Sequence, residues 1–142
     1  MKVKSIIFHA GIILLSLTAS CATQSATPIP TSIHDLIASS PVPGKQVILR
    51  ACADAHRHGI SLFDCKDRSK AISLEIPQAI EDRPEIIDFF NESAKNWDGK
   101  KRVDIEAIFI GSYKTNPGSI PSRIFVLDEL KGMVVNDRRG NR

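Results

Sequence analysis

From Gly44 onward the chain alternates with a period of two, and this alternation constrains its fold more than any other feature. In KQVILRACADA, Val47, Leu49, Ala51, Ala53 and Ala55 fall on one side while Arg50, Cys52 and Asp54 fall on the other. ISLFDCKD reads as a second strand and AISLEIP as a third, with Ile72, Leu74 and Ile76 in step. EDRPEIIDFFNESAKNWDG breaks the period. Pro84 suits the first turn of a helix, Asp82 is placed to cap it, and Ile86, Phe90, Ala94 and Trp97 form its apolar stripe. The alternation returns in KKRVDIEAIFIGSY, with Val103, Ile105, Ala107 and Phe109 set against Asp104 and Glu106. KTNPGSIPS is a turn-rich loop, RIFVLDEL a last strand, and residues 136–142 a polar tail expected to be disordered.

The first twenty residues do not belong to this pattern. Lys2 and Lys4 precede an apolar run from Ile6 to Leu17 that is too short to span a bilayer, and Thr18-Ala19-Ser20 lead into Cys21. This has the form of a secretory signal peptide, residues 1–20. Ending on a cysteine, it resembles a bacterial lipoprotein signal, in which the cysteine is acylated and becomes the new N-terminus. The family pattern has Leu three places before the cysteine, where this chain has Thr18, with Leu17 one step further back. The resemblance implies a lipid anchor at Cys21 (diacylglycerol and a further palmitate-type chain). Ala22, in place of Asp, implies the outer membrane, facing the periplasm. Cleavage nearby, after Ala22 for instance, would instead release a soluble periplasmic protein.

Residues 21–31 then read as a flexible tether, and residues 32–135 as one domain. SIHDLIASSP opens that domain as a short helix. Ser32 and Asp35 form a capping-box-like start, Ile33, Leu36 and Ile37 one apolar face, Pro41 the stop, and His34 a surface position.

The full chain has 142 residues with 19 Lys and Arg against 16 Asp and Glu, but the signal holds two of those bases and none of the acids. Residues 21–142 are near neutral, at +1. They lack the basic footprint that phosphate backbones require, so nucleic acid is not the expected partner.

Setting Cys21 aside leaves Cys52 and Cys65, an even pair in an oxidising compartment. If residues 47–67 form a hairpin turning at His58-Gly59, a type I′ loop places Arg57 opposite Ile60, Asp54 opposite Phe63 and Cys52 opposite Cys65. The cysteines then occupy a non-hydrogen-bonded pair with Cα atoms ~4.5 Å apart, within reach of a disulfide. Zinc ligation by Cys52, Cys65 and His56 fails on distance, because four residues of strand separate His56 from Cys52 by ~13 Å. A redox pair is expected as C-x-x-C at a helix start. The expectation is a structural disulfide, no metal and no cofactor.

Three strands, a helix and two strands resemble the OB-fold, a small five-stranded Greek-key β-barrel. The run SIHDLIASSPVPGKQVILR is similar to the entry of OB-like domains in small exported bacterial proteins, and Gly111 in FIGSY to a strand-bending glycine of such barrels. The resemblance implies a binding surface on strands two and three and nearby loops. Here that surface would comprise Arg50, His56, Arg57, His58, Phe63 and Lys66. The alternative architecture is a small α+β meander. The chain shows no G-x-S-x-G elbow, P-loop or H-E-x-x-H sequence.

The reading is a non-catalytic envelope lipoprotein, an accessory or assembly factor that binds another envelope protein. The alternative is an OB module for oligosaccharide, peptidoglycan or nucleic acid, for which Phe63 is the single candidate stacking aromatic.

Overall fold

The computed structural model describes residues 30–96, 103–116 and 122–137. The expected signal peptide, Cys21, Trp97, Asp98-Gly99 and Arg138, Arg139 and Arg142 lie outside the described residues. Helix α1 (Ile33–Ser39) is followed by β1 (Gln46–His56), β2 (Gly59–Asp64) and β3 (Asp67–Glu75). A single 3-10 turn, Gln78–Ile80, then leads to helix α2 (Pro84–Ala94), β4 (Val103–Asn116) and β5 (Ser122–Asp137). The protein is mainly β: five strands in one mixed sheet, with two short helices.

Each strand has two neighbours, in the order β1-β2-β3-β5-β4, and β4 pairs back onto β1 from Gln46↔Ser112 to Ala53↔Ile105. All pairings are antiparallel except β3 with β5, which run parallel over Ser73↔Ile124, Leu74↔Phe125 and Glu75↔Val126. The alternation read from the sequence is the inside and outside of this closed sheet. Leu49, Ala51, Ala53, Leu62, Ile72, Ile105, Ala107, Phe109, Phe125 and Leu127 form the interior cluster. Three alanines on β1 leave room for the rings of Phe109 and Phe125 and for both helices to reach inside, since interiors pack to near-crystalline density. α1 contributes Ile33 and Leu36, and α2 contributes Ile86 and Phe89, whose ring meets Phe109 edge-on at 6.2 Å.

Gly111 marks where β4 comes closest to β5. A β-carbon there would lie 2.0 Å from the carbonyl oxygen of Val126 and 2.8 Å from the Phe125 ring. The β4–β5 register shifts beside it, between Ile110 and Gly111. Only a residue without a side chain allows the two backbones to approach this closely.

Four expectations shift. The stripe of α2 is Ile86, Phe89 and Ser93; Phe90 and Ala94 face outward. Adjacent phenylalanines give two candidate stripes 100° apart, and packing against Phe109 selects the first. Arg83, not Asp82, occupies the N-cap, with Pro84 in the first turn as expected. Arg83 also fixes this end of the helix, its Nη1 donating to the carbonyl of Asp128 at 2.8 Å. The last strand runs past Leu130 to Asp137, so Asn136 and Asp137, expected in the loose tail, pair with Asp104 and Val103. At the other end Thr31, expected in the tether, is already part of the fold. It bridges in parallel to β1, donating to Ile48 at 2.8 Å and accepting from Arg50 at 3.1 Å. β2 pairs with β1 only from Cys52 onward, and Thr31 covers the backbone groups that this leaves open.

Candidate functional site

The first hairpin forms, but with its turn at Arg57-His58. The register places His56 opposite Gly59, Ala55 opposite Ile60, Asp54 opposite Ser61 and Cys52 opposite Phe63. This is two residues away from the expected pairing, and Cys52 and Cys65 are not directly opposed. Neither Arg57 nor His58 has positive φ; Gly59 takes it up, at 134°, as the first residue of β2. The turn is therefore not type I′. His56 helps to fix it, its Nδ1 accepting from the backbone N–H of His58 at 3.3 Å. A slip of two leaves every side chain on the same face, so the alternation fits either register equally well.

The disulfide between Cys52 and Cys65 is present, with Cα atoms 5.0 Å apart. It runs diagonally. Cys65 lies just beyond β2, where the β2–β3 register breaks between Phe63 and Asp64, and the irregularity brings it back over Cys52. Asp64, its neighbour, accepts from the N–H of Ile33 at 2.9 Å and from that of His34 at 3.1 Å. Ser32 Oγ accepts from the backbone N–H of Asp35 at 3.1 Å, the N-cap expected from the sequence. The start of α1 is thus held both locally and by a side chain from the disulfide turn.

Phe63, the expected exposed aromatic, is 3 % exposed. It lies on the outer face of the sheet beside Cys52, covered by the guanidinium of Arg68 4.0 Å from the ring centroid. Arg68 also reaches Asp54 at 3.5 Å and bonds Asp104 directly. Asn96, just past α2, donates to Asp54 at 3.2 Å and to the carbonyl of Val103 at 2.9 Å. The same amide accepts from Val103 N–H at 2.7 Å, acting as one more rung on β4. Desolvation beside this network pushes the Asp104 carboxyl above its usual range; Asp54 adds to the rise and Arg68 opposes it. Glu106 faces Arg50, at 3.9 Å.

The remaining candidates separate into two places. Arg50 and Lys66 line one depression of about 390 Å³ with Thr31, Ser32, Cys65 and Glu106. His56, Arg57 and His58 lie at the hairpin tip. His56 is six residues further along β1 than Arg50, or ~20 Å of strand. The six candidates do not form one surface. At the tip, His56 Nε2 lies 2.9 Å from Ser61 Oγ. Because Nδ1 accepts from His58, Nε2 carries the proton and donates to the hydroxyl, which is the wrong tautomer for drawing a proton from Ser61. His34 is exposed, its ring 3.0 Å from Lys70 Nζ and 3.9 Å from both Asp64 and Asp67. Among the described residues, no group of three or more His, Cys, Asp or Glu side chains is arranged to hold a metal ion.

Sequence reasoning missed Asp64, Arg68 and Asn96 in these roles. Their partners lie far along the chain or across a turn, and no spacing rule encodes them. One signal was available: an Asp beside a cysteine at a strand end, and an Asn just beyond a helix, are residue types suited to capping stray backbone groups. No protein-family model, curated protein or solved structure matches this chain.

Proposed function

We propose that this protein is a non-catalytic lipoprotein of the bacterial envelope, with an OB-like domain held on a short tether and serving as an accessory or assembly factor for another envelope protein. The observation that carries this reading is the Cys52–Cys65 bond. It fits an oxidising compartment and leaves Cys21, directly after Thr18-Ala19-Ser20, as the one cysteine outside that bond. Thr31, where the chain joins the sheet, is the tenth residue after Cys21, a reach of at most ~35 Å from the acyl anchor. Support for an OB-like barrel comes from the closed strand order and from α2 placed between β3 and β4.

Binding of a protein, rather than of bases or sugars, is favoured by the burial of Phe63. Stacking recognition needs an open ring face, and this one is occupied by Arg68. The carboxylates of the same face serve Arg68, Arg50 and Asn96, the pattern of a structural surface.

The test is crosslinking and pulldown from membranes of cells making the tagged chain, beside a Cys21→Ser control. One dominant envelope protein, captured by the anchored chain and lost in the control, is the expected result. A Cys21→Ser chain that remains membrane-bound defeats the lipid anchor, and the absence of any protein adduct defeats the accessory-factor reading.

A further inference from the structure

The outer edge of β1 runs on past Thr31. Thr31 donates its N–H to the carbonyl of Ile48 and accepts the N–H of Arg50 on its own carbonyl. A strand residue turns its N–H and carbonyl to the same edge, and every second residue turns the same way. The N–H of Ile48 and the carbonyl of Gln46 therefore face this edge too. Among the described residues neither has a backbone partner there, since β2 joins β1 only from Cys52. Ile48 is half-buried, and a backbone donor in such a place is ordinarily paired.

The sequence just ahead of Thr31 fits the gap. Thr31 bridges to Leu49 in parallel, so the same register carried two residues back sets Ile29 opposite Val47. There the N–H of Ile29 meets the carbonyl of Gln46, and its carbonyl meets the N–H of Ile48. Its side chain falls on the face of Val47 and Leu49, which point inward at 9 % and 0 % exposure. Ile29 is the one large aliphatic residue between Cys21 and Thr31, and it is β-branched, as strands favour. Pro28 and Pro30 flank it. In this register both proline nitrogens point away from β1, where a missing N–H costs no ladder bond. A register shifted by one would turn both toward β1 and Ile29 outward. Facing out, the prolines also make the new edge a poor template for a foreign strand.

We propose that the open edge of β1 docks Ile29 of the same chain, paired in parallel with Val47 as a short sixth strand. A parallel strand runs with β1, so the chain ahead of Ile29 leaves the sheet beside Gln46, at the opposite end of β1 from the Arg57-His58 turn. Given a lipid anchor at Cys21, the start of β1 then faces the membrane and the hairpin tip faces away from it. Ile29 is the eighth residue after Cys21, a link of at most ~28 Å. This orientation rests on the lipoprotein reading; the strand pairing does not.

The test is amide exchange by NMR on the protein purified from cells in detergent. The Ile48 amide is expected to exchange within tenfold of Arg50, whose partner is Thr31. I29D, which puts a charge on the inner face, speeds Ile48 exchange tenfold or more, and I29S acts in the same direction. A26D, the same charge outside the pairing, changes it less than twofold. Circular dichroism checks that each variant is folded. Free exchange of Ile48 in the parent overturns the proposal, and so does protection that survives both I29D and I29S, because something other than Ile29 then covers the edge. In vesicles with a nitroxide on the lipid headgroups, the resonances of Gly44, Lys45 and Gln46 broaden more than those of Arg57 and His58. Equal or reversed broadening overturns the orientation. Intact pairing in a protein that does not bind vesicles defeats the lipoprotein reading alone, and vesicle binding with Ile48 unprotected defeats the strand alone.

Discussion

The carboxylate of Asp64 receives the backbone N–H of Ile33 at 2.9 Å across 31 residues of sequence. It takes the N–H of His34 as well, so the turn that carries the disulfide also closes the first turn of α1. Asp64→Ala leaves both N–H groups without that partner. Loss of a helix cap of this kind costs about 0.5–2 kcal/mol. Urea unfolding is expected to show a lower midpoint with little change in slope, and Asp64→Asn, which keeps an acceptor, falls between. An Ala variant as stable as the parent would show that α1 is held by Ile33 and Leu36 alone.

Reduction of Cys52–Cys65 acts on the same turn. Closing a loop of this size stabilises by about 3 kcal/mol if the effect is mainly chain entropy. The expected outcome is a clear fall in melting temperature for Cys52→Ala under oxidising conditions, with Cys65 now open to alkylation. Under reducing conditions the two proteins should melt close together. If they already do so when oxidised, the bond contributes nothing to stability.

Gly111→Ala is the substitution expected to damage the sheet most for its size. A methyl group 2.0 Å from the Val126 carbonyl must push β4 away from β5. Overpacking of this kind typically costs about 1–3 kcal/mol, and here the obstacle is backbone, so about 3 kcal/mol is expected. Gly44→Ala makes the comparison. It has open space around it but a φ of 80°, so only backbone strain, about 1 kcal/mol, is at issue. Thermal melts of the two variants should rank in that order.

Asp104 titrates above the usual aspartate value of 3.8. A carboxyl whose folded pKa is raised holds its proton more tightly in the folded state, so this group's contribution to stability declines as pH rises through that window. Asp67 runs the other way. The Ser69 backbone and side chain lower its pKa, and its contribution, present above 3.8, is lost as pH falls through the folded value. Carboxyl-carbon NMR titration checks both. Arg68→Gln is expected to raise the Asp104 midpoint further, since Arg68 opposes the rise, and Asp54→Asn to lower it. Movement of either in the reverse direction would rule out this account of the network.

The same contacts mark how far the sequence could be read. Alternation along β1, β2 and β4 identified the interior, because a period of two is imposed directly by the pleat. Ser32 was legible because a cap demands a particular residue type, while Gly111 stood out only through the resemblance to a barrel glycine, and its close approach to Val126 was not foreseen. The hairpin register was not legible, since registers two residues apart bury the same side chains and a contact between His56 and the His58 backbone decides between them. Phe90 looked as good a core residue as Phe89 until Phe109 was in place. Phe63 looked exposed because nothing local reveals that Arg68, five residues on and around a turn, covers its ring.

The parallel pairing of β3 with β5 has a kinetic meaning. It joins residues about fifty positions apart through only Ser73, Leu74 and Glu75 against Ile124, Phe125 and Val126. Every other seam is antiparallel, and the β4–β5 ladder runs nearly the length of both strands. With three paired residues it is the shortest seam of the sheet, so it is expected to be the first to part in the native state. Amides along it are expected to exchange with solvent well before those of the longer β1–β4 ladder, as at a door whose hinge is the seam opposite.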